Sequence, residues 1–381
     1  DNGATFTVFG DIVMLLLIQV GGVGVMTFAI LMFLLMDKTI TIKQRLMIQT
    51  ALNQNSLGGI IKLAKRLFYF SMFFESFFAL LLAIRFIPDL GFLKGSGYAV
   101  FHSIAAFNNS GISLWQDGFL HYAADPVINI LITTLIVIGG IGFTVMSDIW
   151  DKKSWRTFSL HTKVMLLGTL IINVLAMILI FLLEYSNAYT LGALSSKETL
   201  WTAYFQGISS RTAGFSNISI NDLRPETLLF IMLLMFIGGG AVSTAGGIKL
   251  TTFICLFMMV IAYIRKKNEP TLMKRSISNS DIYKALIIAS LSLIAIFIAL
   301  FILLITEKSS IAFLQMCFEV VSAFSTVGLS TGITSQLSHI GQFVLIVTMI
   351  LGKLGPLTIL FSLAARTKER IRYPNGELFI G

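Results

Sequence analysis

Long apolar runs constrain this chain more than any other feature of its sequence. They cover Val8–Met36, Leu67–Ile87, Val127–Met146, Val164–Leu183, Leu228–Ile264, Ala285–Ile305 and Phe343–Ala365. A helix needs about 20 residues to cross the hydrocarbon core of a bilayer, and each run meets or approaches that length. With 56% hydrophobic and only 12% charged residues among 381, the chain carries more apolar surface than a soluble core can use. The reading is an all-α, multi-pass membrane protein. A barrel is set aside because its strands alternate apolar and polar residues over shorter lengths.

Charge orients the spans. Most of the 28 lysines and arginines fall in the connections 37–66, 151–163 and 265–284 and in the tail from Arg366. The positive-inside rule places these connections and the C-terminus in the cytoplasm and the protein in the cell membrane. The net charge of +9 then reflects topology and attraction to anionic lipid, and nucleic acid is not expected as a partner. Cys255 and Cys317 both lie in apolar context, so no disulfide framework is expected. The opening Asp1-Asn2-Gly3 has neither Met nor a basic leader region, which predicts that the numbering begins inside a longer protein.

Internal repetition is the second constraint. Glycine motifs recur within the apolar runs: GGVG (Gly21–Gly24), GGIG (Gly139–Gly142), GGGA (Gly238–Ala241) and GKLG (Gly352–Gly355). Upstream of the last three lies a polar loop: NNSGIS around Asn109, Ser110 and Gly111, RTAGFS around Thr212, Ala213 and Gly214, and STVGLS around Thr326, Val327 and Gly328. The loop glycines precede the next motif by 28, 24 and 24 residues. Each loop follows a segment too short to span (Gly97–Phe107, Glu198–Ser209, Ser310–Phe324), which reads as a re-entrant half-helix. The unit is helix, half-helix, polar loop, helix. Its boundaries fall at 1–36 (the final helix of a first repeat), 37–150, 151–264 and 265–381 with the tail. The spacing predicts that an outer helix, a half-helix and a loop of the first repeat precede residue 1.

Four such loops around one pore would suit a cation filter. Glycine lets backbone carbonyls turn inward to replace an ion's hydration shell. Half-helices would aim their partly negative C-terminal ends at the same point. The loops hold no Asp or Glu at the filter positions, as fits a monovalent ion bound by carbonyls better than a divalent one. GGVG and GGIG read equally as close-packing sites between helices. Arg211 departs from the small polar pattern and is expected to pair locally, with Asp222.

The stretch Ile237–Thr252 holds Gly238, Gly239, Gly240, Gly246 and Gly247 together with Ser243, Thr244 and Lys249. So much glycine should break the helix, and a broken helix must line a cavity. A mobile flap that gates the pore is the reading, with a static kink as the alternative. Lys353 is a second cation at membrane depth, and such residues mark functional sites. It either projects into the cavity as a barrier to cations or pairs with Asp148. Pro356 is expected to kink the last helix. No enzyme is expected: His102, His121, His161 and His339 show no ligand spacing, and the isolated Glu319 reads as support for a half-helix. A secondary transporter with a broken-helix site is the alternative of another class, disfavoured by four units and one broken helix.

The three loops, GGGAVSTAGGIKLTT and GKLGPLT make the chain resemble the Trk/Ktr/HKT superfamily of potassium transporters, most of all its KtrB group of bacterial membrane subunits. The resemblance covers essentially the whole chain. It implies potassium uptake through a filter at Gly111, Gly214 and Gly328, a gating loop within Gly238–Gly247, and Lys353 as the basic residue of the last helix. It further implies a homodimer with two separate pores, with the C-terminal IRYPNGELFIG in the dimer contact. A cytosolic nucleotide-binding ring resembling KtrA would be the regulator, with nucleotide held there only, and sodium would be an activator. The loop that separates potassium from sodium in plant HKT relatives is the first one, so a sodium-permeable transporter of the same architecture remains the other reading.

Overall fold

The computed structural model describes residues 6–23, 60–267 and 269–355. Most of the first basic connection, Pro356 and the IRYPNGELFIG tail lie outside the described residues. Twelve helices are described: Val8–Val23 (α1), Ile60–Leu90 (α2), Phe92–Phe107 (α3), Pro126–Ile141 (α4), Phe143–Lys152 (α5), Leu160–Glu184 (α6), Ser196–Thr212 (α7), Pro225–Phe236 (α8), Leu250–Ile264 (α9), Asn279–Thr306 (α10), Phe313–Ser325 (α11) and His339–Leu354 (α12). A two-stranded hairpin, Thr271–Leu272 with Arg275–Ser276, joins α9 to α10.

Within α2, Lys65–Leu90 is long and apolar enough to cross a membrane, as are α6 and α10. Their outward faces are bare hydrocarbon: Phe73, Leu80, Ile171, Leu182, Phe297 and Ile305 are all exposed. Polar residues lie inside instead, among them Glu75, His102, Asn109, Gln206, Thr244 and Glu319. This inverted distribution is what a lipid solvent requires and makes this a multi-pass membrane protein.

One packing order recurs. The long helices α2, α6 and α10 lie against the short helices α3, α7 and α11, and each short helix packs on the next helix in the chain, α4, α8 and α12. Across the units, α1 packs on α3, α4 on α7, and α8 on α11. The short helices are 16, 17 and 13 residues long; α3 and α11 end within a residue of the expected Phe107 and Phe324, whereas α7 runs past the expected Ser209 and takes in Arg211 and Thr212. Their starts and those of their neighbours are set by local chemistry. Ser195 and Glu198 form a capping box on α7, and Asp125 caps α4 while pairing with Arg85 of α2. Ser338 caps α12 and donates to Glu307 at the end of α10. Partial burial pushes the Glu307 carboxyl up, but the Ser338 hydroxyl and amide and the Thr306 hydroxyl hold it below its ordinary value.

Close packing is made by glycine. A Cβ on Gly139 of α4 would collide with the Phe107 carbonyl at the end of α3, and one on Gly352 of α12 with the Phe324 carbonyl of α11. In both units the last helix therefore lies directly on the half-helix terminus. The structure corrects one expectation here. The run Val127–Met146 is not one continuous span: it breaks at Gly142, where φ is 107°, and α5 leaves α4 at 91°. The break has a distant cause, because the Phe143 amide donates to the Val242 carbonyl at 2.9 Å.

Gly139→Ala is expected to lower the thermal unfolding midpoint of the purified protein, at an overpacking cost of about 1–3 kcal/mol. Gly97→Ala, with nothing within 4 Å of the added methyl, is expected to leave the midpoint unchanged or raise it. Equal midpoints for the two variants would refute the close approach.

Candidate functional site

The three polar loops meet. Gly111, Gly214 and Gly328 all take left-handed backbone conformations, with φ of 68°, 81° and 92°. L side chains avoid this region, so glycine is required at these three places. A Cβ on Gly111 would lie 2.5 Å from the Ala213 carbonyl oxygen and 3.0 Å from that of Val327. One on Gly214 would overlap the Val327 oxygen, and one on Gly328 would sit 3.8 Å from the Ser110 oxygen. Ser110, Ala213 and Val327 each directly precede a loop glycine. Their carbonyl oxygens thus face the glycines of neighbouring loops around one point.

The amides of the same turns face the other way, back onto the half-helices. Ser110 N donates to Ala105 O, Gly214 N to Ser209 O, and Val327 N to Ser322 O, at 3.0, 3.1 and 3.1 Å. Asn109 and Thr326 complete their turns in left-handed conformations, each with φ of 51°.

The stretch between α8 and α9 is non-helical, as its glycines predicted. Its ends are pinched together: Gly238 N donates to Ile248 O at 2.8 Å and Leu250 N to Gly239 O at 2.9 Å. The loop between them reaches α4, where Gly240 N donates to Gly140 O at 2.8 Å. Ser243 closes a turn onto Gly240 O, and Gly247 has φ of 68°. Thr244 stands at the centre. Its hydroxyl accepts from Asn109 Nδ2 at 2.6 Å and donates to Phe107 O at 3.2 Å, while Asn109 Oδ1 accepts from Thr212 Oγ1 at 3.1 Å. Gly246 lies against Thr326 and Ser325, where a Cβ would overlap both. Two of the loops and the non-helical stretch are therefore joined by one hydrogen-bond chain, and the third loop touches it.

Lys249 and Lys353 both end on this stretch. Lys353 Nζ donates to Thr244 O at 2.5 Å, and Lys249 Nζ to Ala245 O at 2.7 Å. Lys353 does not pair with Asp148, whose partner is Lys152 at 2.7 Å. Arg211 does not pair with Asp222; it is buried, and its Nη1 donates to Asn173 Oδ1 of α6 at 3.0 Å. Behind the stretch lies a cavity of about 740 Å³, whose lining includes Ala241, Val242, Thr144, His161 and Asp281.

Sequence reasoning missed the surroundings of Glu75. This carboxylate of α2 is buried, and it accepts from Ser71 at 2.8 Å, from Gln19 of α1 at 2.9 Å and from Asn108, the cap of α3, at 3.1 Å. The only signal was an acidic residue inside an apolar run, which is costly unless its partners are supplied.

Glycine-bearing backbone loops that meet within a multi-pass membrane protein, with a lysine-held stretch beside them, fit the class of ion transport proteins. The chain belongs to the TrkH family of cation transport proteins, whose family model matches residues 4–369. It is 49% identical over 381 residues to the Ktr system potassium uptake protein B of Bacillus subtilis, covering all of this chain and 85% of that one. It is 36% identical over 383 residues to the protein of the same name from Vibrio alginolyticus, covering 100% and 84%. The crystal structure of the potassium transporter TrkH from Vibrio parahaemolyticus matches with a TM-score of 0.69 at 20% identity, over 91% of this chain and 70% of that one, and so shares the fold. The family is one of transport proteins, not enzymes.

Glu75→Leu is expected to destabilise the protein by about 1–3 kcal/mol, because it removes the buried acceptor shared by the Ser71 hydroxyl and the Gln19 and Asn108 amides. Glu75→Gln, which keeps an acceptor, should lose less. The thermal midpoints of the two variants, compared with the unmodified protein, check the order.

Proposed function

We propose that this protein is the membrane-embedded translocating subunit of a potassium uptake system. Four pseudo-repeats, divided as 1–36, 37–150, 151–264 and 265–381, surround one pore. The observation that carries this reading is the close approach of the Ser110, Ala213 and Val327 carbonyl oxygens to the glycines of neighbouring loops. Carbonyl dipoles replace a hydration shell without binding so tightly that the ion cannot leave, which suits a monovalent cation. Identity of 49% to a potassium uptake protein supports potassium as the cargo. Asn109, Ser110, Gly111, Thr212, Ala213, Gly214, Thr326, Val327 and Gly328 form the described part of the filter.

The stretch Gly238–Lys249 is the gate. It lies against the inner ends of the half-helices, and Lys353 holds it there by one charge-assisted hydrogen bond. The cavity behind Ala241 and Val242 gives it room to withdraw. The basic connections and the C-terminus face the cytoplasm, where a nucleotide-binding ring resembling KtrA docks, and the subunit works as a homodimer with sodium as activator. The basic charge of these connections supports that docking side.

Uptake by proteoliposomes holding the full-length protein tests the reading. Potassium and rubidium should enter well and sodium poorly, and Gly214→Ser should erode that preference; equal entry of sodium would defeat the assignment to potassium. Lys353→Ala should raise flux by about ten- to a hundredfold where opening limits it, the equilibrium worth of one hydrogen bond to a charged group. Unchanged or lower flux in that variant would count against a gate held by Lys353.

A further inference from the structure

Behind the loops, on the side away from the point where they meet, one arrangement occurs three times. Each half-helix carries a buried polar side chain eight or nine residues before its loop glycine: His102 on α3, Gln206 on α7 and Glu319 on α11. Each loop carries a serine two residues after that glycine: Ser113, Ser216 and Ser330. In all three units the two side chains are joined. His102 Nε2 lies 3.2 Å from Ser113 Oγ, Ser216 Oγ shares its proton between the nearby Ile218 carbonyl and Gln206 Oε1 at 3.4 Å, and Ser330 Oγ donates to Glu319 Oε1 at 2.5 Å. Each serine also closes the same small turn. Its Oγ accepts from the backbone amide two residues further on, that of Trp115 at 3.1 Å, Ile218 at 3.3 Å and Gly332 at 2.9 Å.

The chemistry of the three partners differs, but the function of their atoms does not. His102 donates from Nδ1 to Tyr98 O at 2.8 Å, which leaves Nε2 as an acceptor, and Nε2 also receives the Leu114 amide at 3.3 Å. Glu319 likewise receives the Thr331 amide at 3.1 Å. In every case a buried acceptor on the half-helix faces the serine that closes the turn, and on α3 and α11 it also takes a backbone amide of the loop. A turn at membrane depth has no water to complete its hydrogen bonds, so the acceptor fixes how far the loop stands from the half-helix.

We propose that His102, Gln206 and Glu319 are equivalent positioning residues: three struts, acting through Ser113, Ser216 and Ser330, that hold the filter at the width that gives its ion preference. The inference rests on the filter reading above. A residue that only packs the half-helix would change stability and yield; a strut changes the ratio of ions admitted.

The test is the ratio of rubidium to sodium uptake in proteoliposomes holding the full-length protein, with the thermal midpoint of each variant measured alongside. Ser330→Ala and Glu319→Leu are expected to lower the ratio by about two- to tenfold, the equilibrium worth of one hydrogen bond. Glu319→Gln and His102→Gln are expected to keep it within about twofold, because glutamine is the residue that performs this task on α7. If Glu319→Leu fails to fold, Ser330→Ala, at a partly exposed hydroxyl, decides the matter. A ratio unchanged in Ser330→Ala overturns the proposal, and so does a glutamine variant as damaging as Glu319→Leu. Gly214→Ser separates the two levels: if it abolishes a preference that Ser330→Ala leaves intact, the struts fail and the filter stands. If the unmodified protein shows no preference, the filter reading fails and the struts fail with it.

Discussion

The structure depends on one constraint: irregular backbone inside a membrane must find its hydrogen-bond partners within the protein. Three loops meet that constraint in the same way. The Ser110, Gly214 and Val327 amides turn back onto the half-helix that precedes them, while the Ser110, Ala213 and Val327 carbonyl oxygens lie toward the glycines of neighbouring loops. Left-handed glycine makes this division possible, because the turn that reverses the chain also separates donors from acceptors. Half-helices, close-packing glycines and buried polar anchors all follow as means of keeping that turn in place.

The stretch between α8 and α9 meets the same constraint with different means. Its amides borrow the carbonyls of Gly139 and Gly140 on α4, and two of its own carbonyls, those of Thr244 and Ala245, receive lysine ammonium groups. A cation at membrane depth is costly when unpaired, and here it is satisfied by backbone and not by a carboxylate. The arrangement leaves α4 no room to continue straight. Val242 takes the Phe143 amide, and the helix turns aside at Gly142. One unusual segment thus accounts for two broken helices.

Much of this was legible in the sequence where the signal was spacing. Loop glycines at matched distances from the next glycine motif located the half-helices and the non-helical stretch, because chance rarely repeats a polar loop and a glycine-bearing helix at one offset. The bend at Gly142 was not legible. GGIG reads like GGVG, and what distinguishes it is a carbonyl about 100 residues away along the chain. Arg211 misled for a related reason: Asp222 is its neighbour in sequence, but Asn173 on α6 is its neighbour in space. The serines after each loop glycine were visible as a pattern. Their partners were hidden because histidine, glutamine and glutamate look unrelated until their shared acceptor atoms are seen in place.

The pinched neck of the non-helical stretch has a structural consequence of its own. Gly238, Gly239, Ile248 and Leu250 are joined across the base of the loop, so α8 and α9 remain coupled whatever the residues between them do. The span behaves as a mended rod with a pendant attached at the mend. Continuity between the two helices resides in the neck, while the pendant carries the contacts to α4, to the loop of Asn109 and to Lys353. A displacement of the pendant is therefore felt first by α4 and α12, its neighbours in space, while α8 and α9 stay joined at the mend.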